Sequence, residues 1–331
     1  MSSRLLLWYP KVIPAFPSWE EWRDHLRGPL TTRGWAFQEL QLSPRIVHYR
    51  KNRVSWECST CVTIDADASV HRETWEIHGC RLLDGHIEDL PTWDSSPTWL
   101  HGTDHLFSRW MRVTELYSTK RLTFKEDKLP ALSGLAAAFH SVASPGDYYA
   151  GLWGEDLAHG LCWKRAIPLQ GIRLTIGDIP SRSWASMDGP VVDEFPDKEK
   201  RCNIYTDFSV NLAASGTDVH GMDLYEKVKG GRLVARGQLR EFYYTLRRET
   251  FEFKIDYDVA GSSDNITSEK KTRKTVLLMS ILQTKQENQR DVDLGIALMP
   301  VSSARMYRRV GFFQLGLCKE DRRRVREIVI I

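Results

Sequence analysis

The feature that most constrains this chain is a change of pattern near Arg201. Beyond it the apolar residues gather into short runs: CNIYTDFSVNL, GRLVARGQLREFYYTL, TFEFKIDYDV, TVLLMSILQ, VDLGIALMPV and RRVGFFQLGL. They are rich in β-branched and aromatic side chains, and polar or glycine-containing breaks separate them. Residues 201–331 therefore predict an antiparallel β unit. The interval AGSSDNITSEKKTR, the most polar stretch of all, predicts a mobile loop inside that unit.

Upstream the signals are mainly helical. PSWEEWRDHL pairs Ser18 with Glu21 in a capping-box spacing, which predicts a short helix over Trp19 to Leu26, stopped by Gly28 and Pro29. A second helix is expected from Arg33 to Leu42, ended by Ser43-Pro44, because proline disfavours the helical conformation in the residue before it. RIVHYRKNRVSWEC reads as a hairpin around Lys51-Asn52, and the turn-rich residues from about Leu82 to Gly102 read as a long connection. Leu106, Trp110, Val113 and Tyr117 recur at helical spacing between about Asp104 and Lys120 and predict a core-facing stripe. Further helices are expected over Ala131 to Val142 and near Glu155 to Leu161. The expected class is α+β, with segments 1–62, 63–200 and 201–331.

Charge and ends exclude some partners. The chain carries 46 basic and 43 acidic residues, net +3, mixed along its length, so no nucleic-acid partner is inferred. The apolar run Leu5 to Tyr9 is too short for a signal-peptide core or a membrane span. With no export signal the six cysteines read as thiols of a reducing compartment, and a cytoplasmic location is expected.

The stretch TTRGWAFQEL raises the chemical question. Trp35, Ala36, Phe37, Leu40 and Leu42 leave little room for a solvated face, so this helix is expected to lie against protein on most sides. Arg33 in its first turn and Glu39 near its end both oppose the helix dipole, at about 0.3–1 kcal/mol each. GLWGEDLAHG lacks the Gly-Lys-Ser/Thr ending of a phosphate loop. Trp184 in PSRSWASMDGP is expected to pack while Asp188-Gly189-Pro190 turns the chain, and His140 and Cys162 are expected to be buried structural groups. The arginine cluster in KEDRRRVREIVII suits a solvated edge strand, with contact to an acidic partner as the alternative.

PLTTRGWAFQELQLSPRIVHYRKNRVSWEC resembles the last conserved block of the heterokaryon incompatibility (HET) domain of filamentous fungi: Pro-Leu, Arg-Gly-Trp, Gln-Glu, Leu-Ser-Pro-Arg and Trp-Glu-Cys. RWMRVTELYSTKRLTFKEDKLPALSGLAAAF, YYAGLWGEDLAHGLCWKR, PSRSWASMDGP and YRRVGFF are similar to segments that follow that domain. The domain's opening blocks, resembling Tyr-x-Ala-Leu-Ser-Tyr-x-Trp-Gly and Ile-Asp-x-x-Cys-Ile-x-Gln, do not occur. The resemblance implies a fold related to the Toll/interleukin receptor (TIR) domain, truncated here to an α/β remnant with a helical middle, before the antiparallel β unit. Ligands of open α/β sheets bind at the carboxyl ends of the strands, so the missing blocks imply an incomplete site.

Some TIR-type domains cleave NAD with a glutamate in a Trp-Cys-x-x-Glu sequence. By that resemblance Glu39 would be the catalytic carboxylate, four residues after Trp35 on one helical face, with Arg33 and Trp35 binding substrate. Glycosidic cleavage builds an oxocarbenium-like ribose that a buried carboxylate stabilises. The alternative is structural pairing, for example Glu39 with Arg45. Cys58, Cys61, His71, His78 and Cys80 match no standard zinc spacing, and Cys58 belongs to the family-like strand end, so no metal site is expected. The resemblance implies fungal non-self recognition and programmed cell death, through a protein partner or self-association. The truncated chain is expected to be non-catalytic, with NAD as substrate in the enzymatic alternative.

Overall fold

The computed structural model describes residues 28–49, 53–58, 61–66, 72–76, 103–166, 172–173, 179–193, 202–205, 207–212, 218–220, 225, 227–229, 232–244, 253–257, 274–284, 292–301, 305–316 and 324–331. Within them, helices and mixed sheet make an α+β architecture.

A 3-10 turn, Pro29–Thr32, leads into α1, Gly34–Leu42. The helix is where the sequence puts it, but it does not lie against protein on most sides. Gly34, Ala36 and Phe37 are buried, whereas Trp35, Glu39 and Leu42 are exposed. Its packed face meets the rest of the molecule through the Phe37 ring, 5.7 Å from that of Tyr117, and through Gln38, whose Oε1 accepts from the Gly134 N–H at 2.8 Å. An apolar composition does not bury a helix when neighbours cover one side alone. The expected hairpin follows as β1 (Arg45–Tyr49) and β2 (Arg53–Cys58), with Val47 opposite Trp56. It extends antiparallel through β3 (Cys61–Ala66) and β4 (Arg72–Glu76).

Next, α2 (Thr103–Ser118) buries Trp110, Val113 and Tyr117, the stripe its spacing predicts. After two 3-10 turns, α3 (Ser133–Ala143) buries Leu135, Ala136 and Phe139. His140 departs from expectation: in the last turn of α3, where the helix leaves the core, it is exposed, and its Nδ1 shares a hydrogen bond with the Tyr225 hydroxyl. A 3-10 turn runs into α4 (Leu157–Gly160) and then to buried Cys162. Strand β5 (Trp163–Arg165) pairs with β6 (Val191–Asp193), and Ile172–Arg173 pairs with Met187–Asp188.

Beyond residue 201 come β7 (Cys202–Ile204), β8 (Ser209–Leu212), β9 (Leu233–Tyr244), β10 (Phe253–Tyr257), β11 (Lys274–Thr284), β12 (Val292–Pro300), β13 (Met306–Gly316) and β14 (Arg324–Ile330), all in one sheet. Asp218–His220 and Lys227–Lys229 make a separate ladder. Because β9 pairs with both β11 and β14, the path β9–β11–β12–β13–β14 returns to its start and closes as a barrel. The expected antiparallel order holds except between β13 and β14, which run parallel. A ring with an odd number of strands cannot alternate direction all the way round.

Ala235, Met279, Ile296, Phe312 and Ile328, one from each barrel strand, belong to the main apolar cluster. At the bulge after Ser280 the strands approach so closely that a Cβ on Gly295 would stand 1.9 Å from the Met279 carbonyl oxygen. The same cluster runs back through Trp184, Trp110 and Phe139 to Phe37, so one core joins helices and barrel.

Candidate functional site

The residues singled out by resemblance are all exposed, Trp35 and Glu39 on one face of α1 and Arg33 at its start. Arg33 is the N-cap of α1, extended and exposed, so its charge meets water and the dipole penalty is screened. Its neighbours tie the backbone down: Gly34 N–H donates to the Arg121 carbonyl at 2.9 Å, and Arg121 N–H to that of Thr32 at 2.6 Å. Trp35 is 42% exposed, and its Nε1 donates to Asp127 Oδ2 at 3.2 Å. Glu39, one turn further along that face, is exposed, as is Arg45 on β1.

Among the described residues no group of three or more His, Cys, Asp or Glu side chains is placed to hold a metal ion. His71, His78 and Cys80 lie outside them, as do the helix expected over Trp19 to Leu26, the connection from about Leu82 to Gly102 and the interval AGSSDNITSEKKTR. No helix among the described residues is long and apolar enough to cross a membrane.

The densest polar chemistry lies elsewhere, along PSRSWASMDGP. Residues Ser181 to Met187 are all buried. Trp184 packs as expected, and its Nε1 donates to the Gly151 carbonyl at 3.1 Å, which also accepts from Trp110 Nε1 at 3.0 Å. Gly151 has φ +95°, and a Cβ there would stand 2.5 Å from Trp184 Nε1, so glycine is required on both counts. Beside this pair lies Lys128, a buried cation. Its Nζ donates to the Met187 carbonyl and sits 5.4 Å from the Trp184 ring centre, while its own carbonyl accepts from the Tyr117 hydroxyl at 2.7 Å. Burial pushes Lys128 down to about 8; nearby Asp188 opposes that shift and Lys125 adds to it. Burial and the charge of Asp127 push the Tyr117 phenol up. Nearer the surface, Lys125 pairs with Asp188.

Where the helical part meets the barrel, the Arg309 guanidinium stacks 3.5 Å from the Trp163 ring centre and donates to the Trp163 carbonyl. Trp163 Nε1 donates to the Arg182 carbonyl at 2.9 Å, and Arg309 N–H to Ser181 Oγ at 3.0 Å. Ser181 in turn donates from its N–H to the Ile331 carbonyl at 3.1 Å. Burial lowers the Arg182 guanidinium to about 10, and Tyr149 counters it. Inside the sheet, Ser280 Oγ donates to buried Asp293 at 2.7 Å. Donors, acceptors and stacked faces here meet one another across elements far apart in sequence, and what this arrangement does chemically is orient and lock the junction.

Sequence patterns alone do not single out Lys128, Arg182 or Arg309. Arg182 lies inside a segment already noted for Trp184, so a signal was there. FKEDKLP and YRRVG also lie in segments noted for the family resemblance, but only tertiary contact reveals that their charges are buried. No protein-family model, no curated protein and no solved structure matches the chain.

Proposed function

We propose that this chain works by binding another protein, as a HET-domain-type protein of fungal non-self recognition and programmed cell death, and that by itself it does not cleave NAD. The family part of the reading is supported by the block PLTTRGWAFQELQLSPRIVHYRKNRVSWEC and the later similar segments. On that reading α1 and the strands after it belong to a TIR-like domain, and the protein acts in the cytoplasm. The observation that carries the non-catalytic part is the exposure of Arg33, Trp35 and Glu39. A carboxylate that stabilises a ribosyl cation works in a water-excluded site, where its charge is not screened.

The experiment is incubation of purified chain with NAD and quantification of nicotinamide. The expected result is no release above buffer. Release that disappears in Glu39→Ala would overturn the reading. In a fungal host, toxicity on expression should be the same for wild type and Glu39→Ala.

One observation favours an enzymatic alternative. Trp35 and Glu39 share the outer face of α1 four residues apart, so another chain laid over that face would enclose both. NAD cleavage would then rise steeply with protein concentration and fail in both Glu39→Ala and Trp35→Ala.

A further inference from the structure

Strand β14 is paired unevenly. Along one edge it runs antiparallel to β9 from Leu233↔Ile330 to Leu239↔Arg324. Along the other it meets β13 only at its end, through Met306↔Val329 and Tyr307↔Ile330. There the Val329 N–H donates to the Arg305 carbonyl at 2.9 Å, and the Ile331 N–H to that of Tyr307 at 3.0 Å. From Gly311 onward that side of β13 is taken by β10 instead. Successive backbone groups of a strand alternate between its edges, so Val325 and Glu327, which share the parity of Val329, aim their N–H and C=O groups at the open side. Among the described residues no strand pairs there, and Arg324, Val325, Arg326 and Glu327 are all exposed.

An open strand edge is a template for another extended chain, and its flanking charges decide which chain fits. Arg324 and Arg326 stand two residues apart and hence share a face. Arg305, in the turn just before β13, is exposed as well, and Glu327 is the one acid within this stretch of β14. A sugar-phosphate backbone brings acceptors for the arginines but no row of alternating N–H and C=O groups at strand spacing to meet Val325 and Glu327; a peptide brings both. We propose that the Arg324–Glu327 edge takes up an extended acidic segment of a partner protein by strand addition, with carboxylates at alternate positions meeting Arg324 and Arg326. The proposal deepens the protein-binding reading above and rests on it.

The probe is a short fluorescein-labelled peptide alternating glutamate with valine, followed by anisotropy against the full chain. Saturable binding is expected, weakened roughly tenfold or more by Arg324→Glu with Arg326→Glu, and absent for the peptide with lysine in place of glutamate. Val325→Pro is the decisive variant. It removes an N–H that faces the open side and leaves the ladder to β9 intact, so the melting temperature should hold while binding falls. No binding, equal binding of the lysine peptide, or indifference to Val325→Pro would each overturn strand addition by an acidic segment. A dimer in light scattering that Val325→Pro dissociates would overturn it too, by giving the edge to a second copy. Nicotinamide release bears on the protein-binding reading alone, so the two failures are distinguishable.

Discussion

The outer face of α1 and the junction around Trp184 are opposites. The α1 face carries residues that advertise chemistry, a tryptophan and a glutamate in an apolar run with an arginine at the helix start, and water reaches all three. The junction is chemically quiet as sequence, yet Lys128 is buried against Trp184, and Arg309 and Arg182 against Trp163. Burial is what gives a charged group leverage, because the same contact is worth several times more where water cannot screen it. Energetic weight therefore sits with the junction, and the outer face of α1 stays exposed.

Four measurements would break or sharpen that contrast. Trp184→Ala should have the largest effect, a loss of about 3–5 kcal/mol in denaturant unfolding, since it empties the centre of the core. Lys128→Met should be next, through pH. The folded pKa of Lys128 is about 8 against an ordinary 10.5, so between those values the unfolded chain holds a proton that the folded chain has released. Stability contributed by this group therefore rises with pH across that window, by roughly 3 kcal/mol, and is lowest below it. The wild type minus Lys128→Met difference should follow that slope. Tyr117 acts in the opposite sense above its ordinary value of 10.0, which is why the difference is the quantity to read.

Gly151→Ala should cost about 1–3 kcal/mol, from the left-handed backbone and the approach of Trp184, seen as a lower melting temperature. Glu39→Gln should be smallest, within about 0.5 kcal/mol, as for other exposed substitutions. A loss above about 2 kcal/mol at Glu39 would erase the contrast between the two regions.

Much of the architecture could be read along the chain. The α2 stripe at Trp110, Val113 and Tyr117, the hairpin β1–β2 and the switch to strands after residue 201 follow from periods of 3.6 and 2 that local sequence encodes. For the candidate residues, the sequence placed Trp35 and Glu39 on one helix face and misjudged what surrounds that face. Periodicity around Trp35 and Phe37 says which side of a helix is apolar, and whether a neighbour arrives to cover it depends on α3 and the turn at Pro130–Leu132, nearly a hundred residues away.

By itself, then, the order of residues determined where the main helices, the β1–β2 hairpin and the strands after residue 201 lie, and that the two halves differ in kind, while it missed β3 to β6. Tertiary structure alone decided that the strands close into a ring with one parallel seam, that Lys128 and Arg309 are enclosed while Glu39 is not, and that among the described residues β14 meets β13 only at its end. The physical reason is range. Backbone preference and side-chain period act over a few residues, whereas burial of a charge or closure of a barrel is set by surfaces that meet from distant parts of the chain.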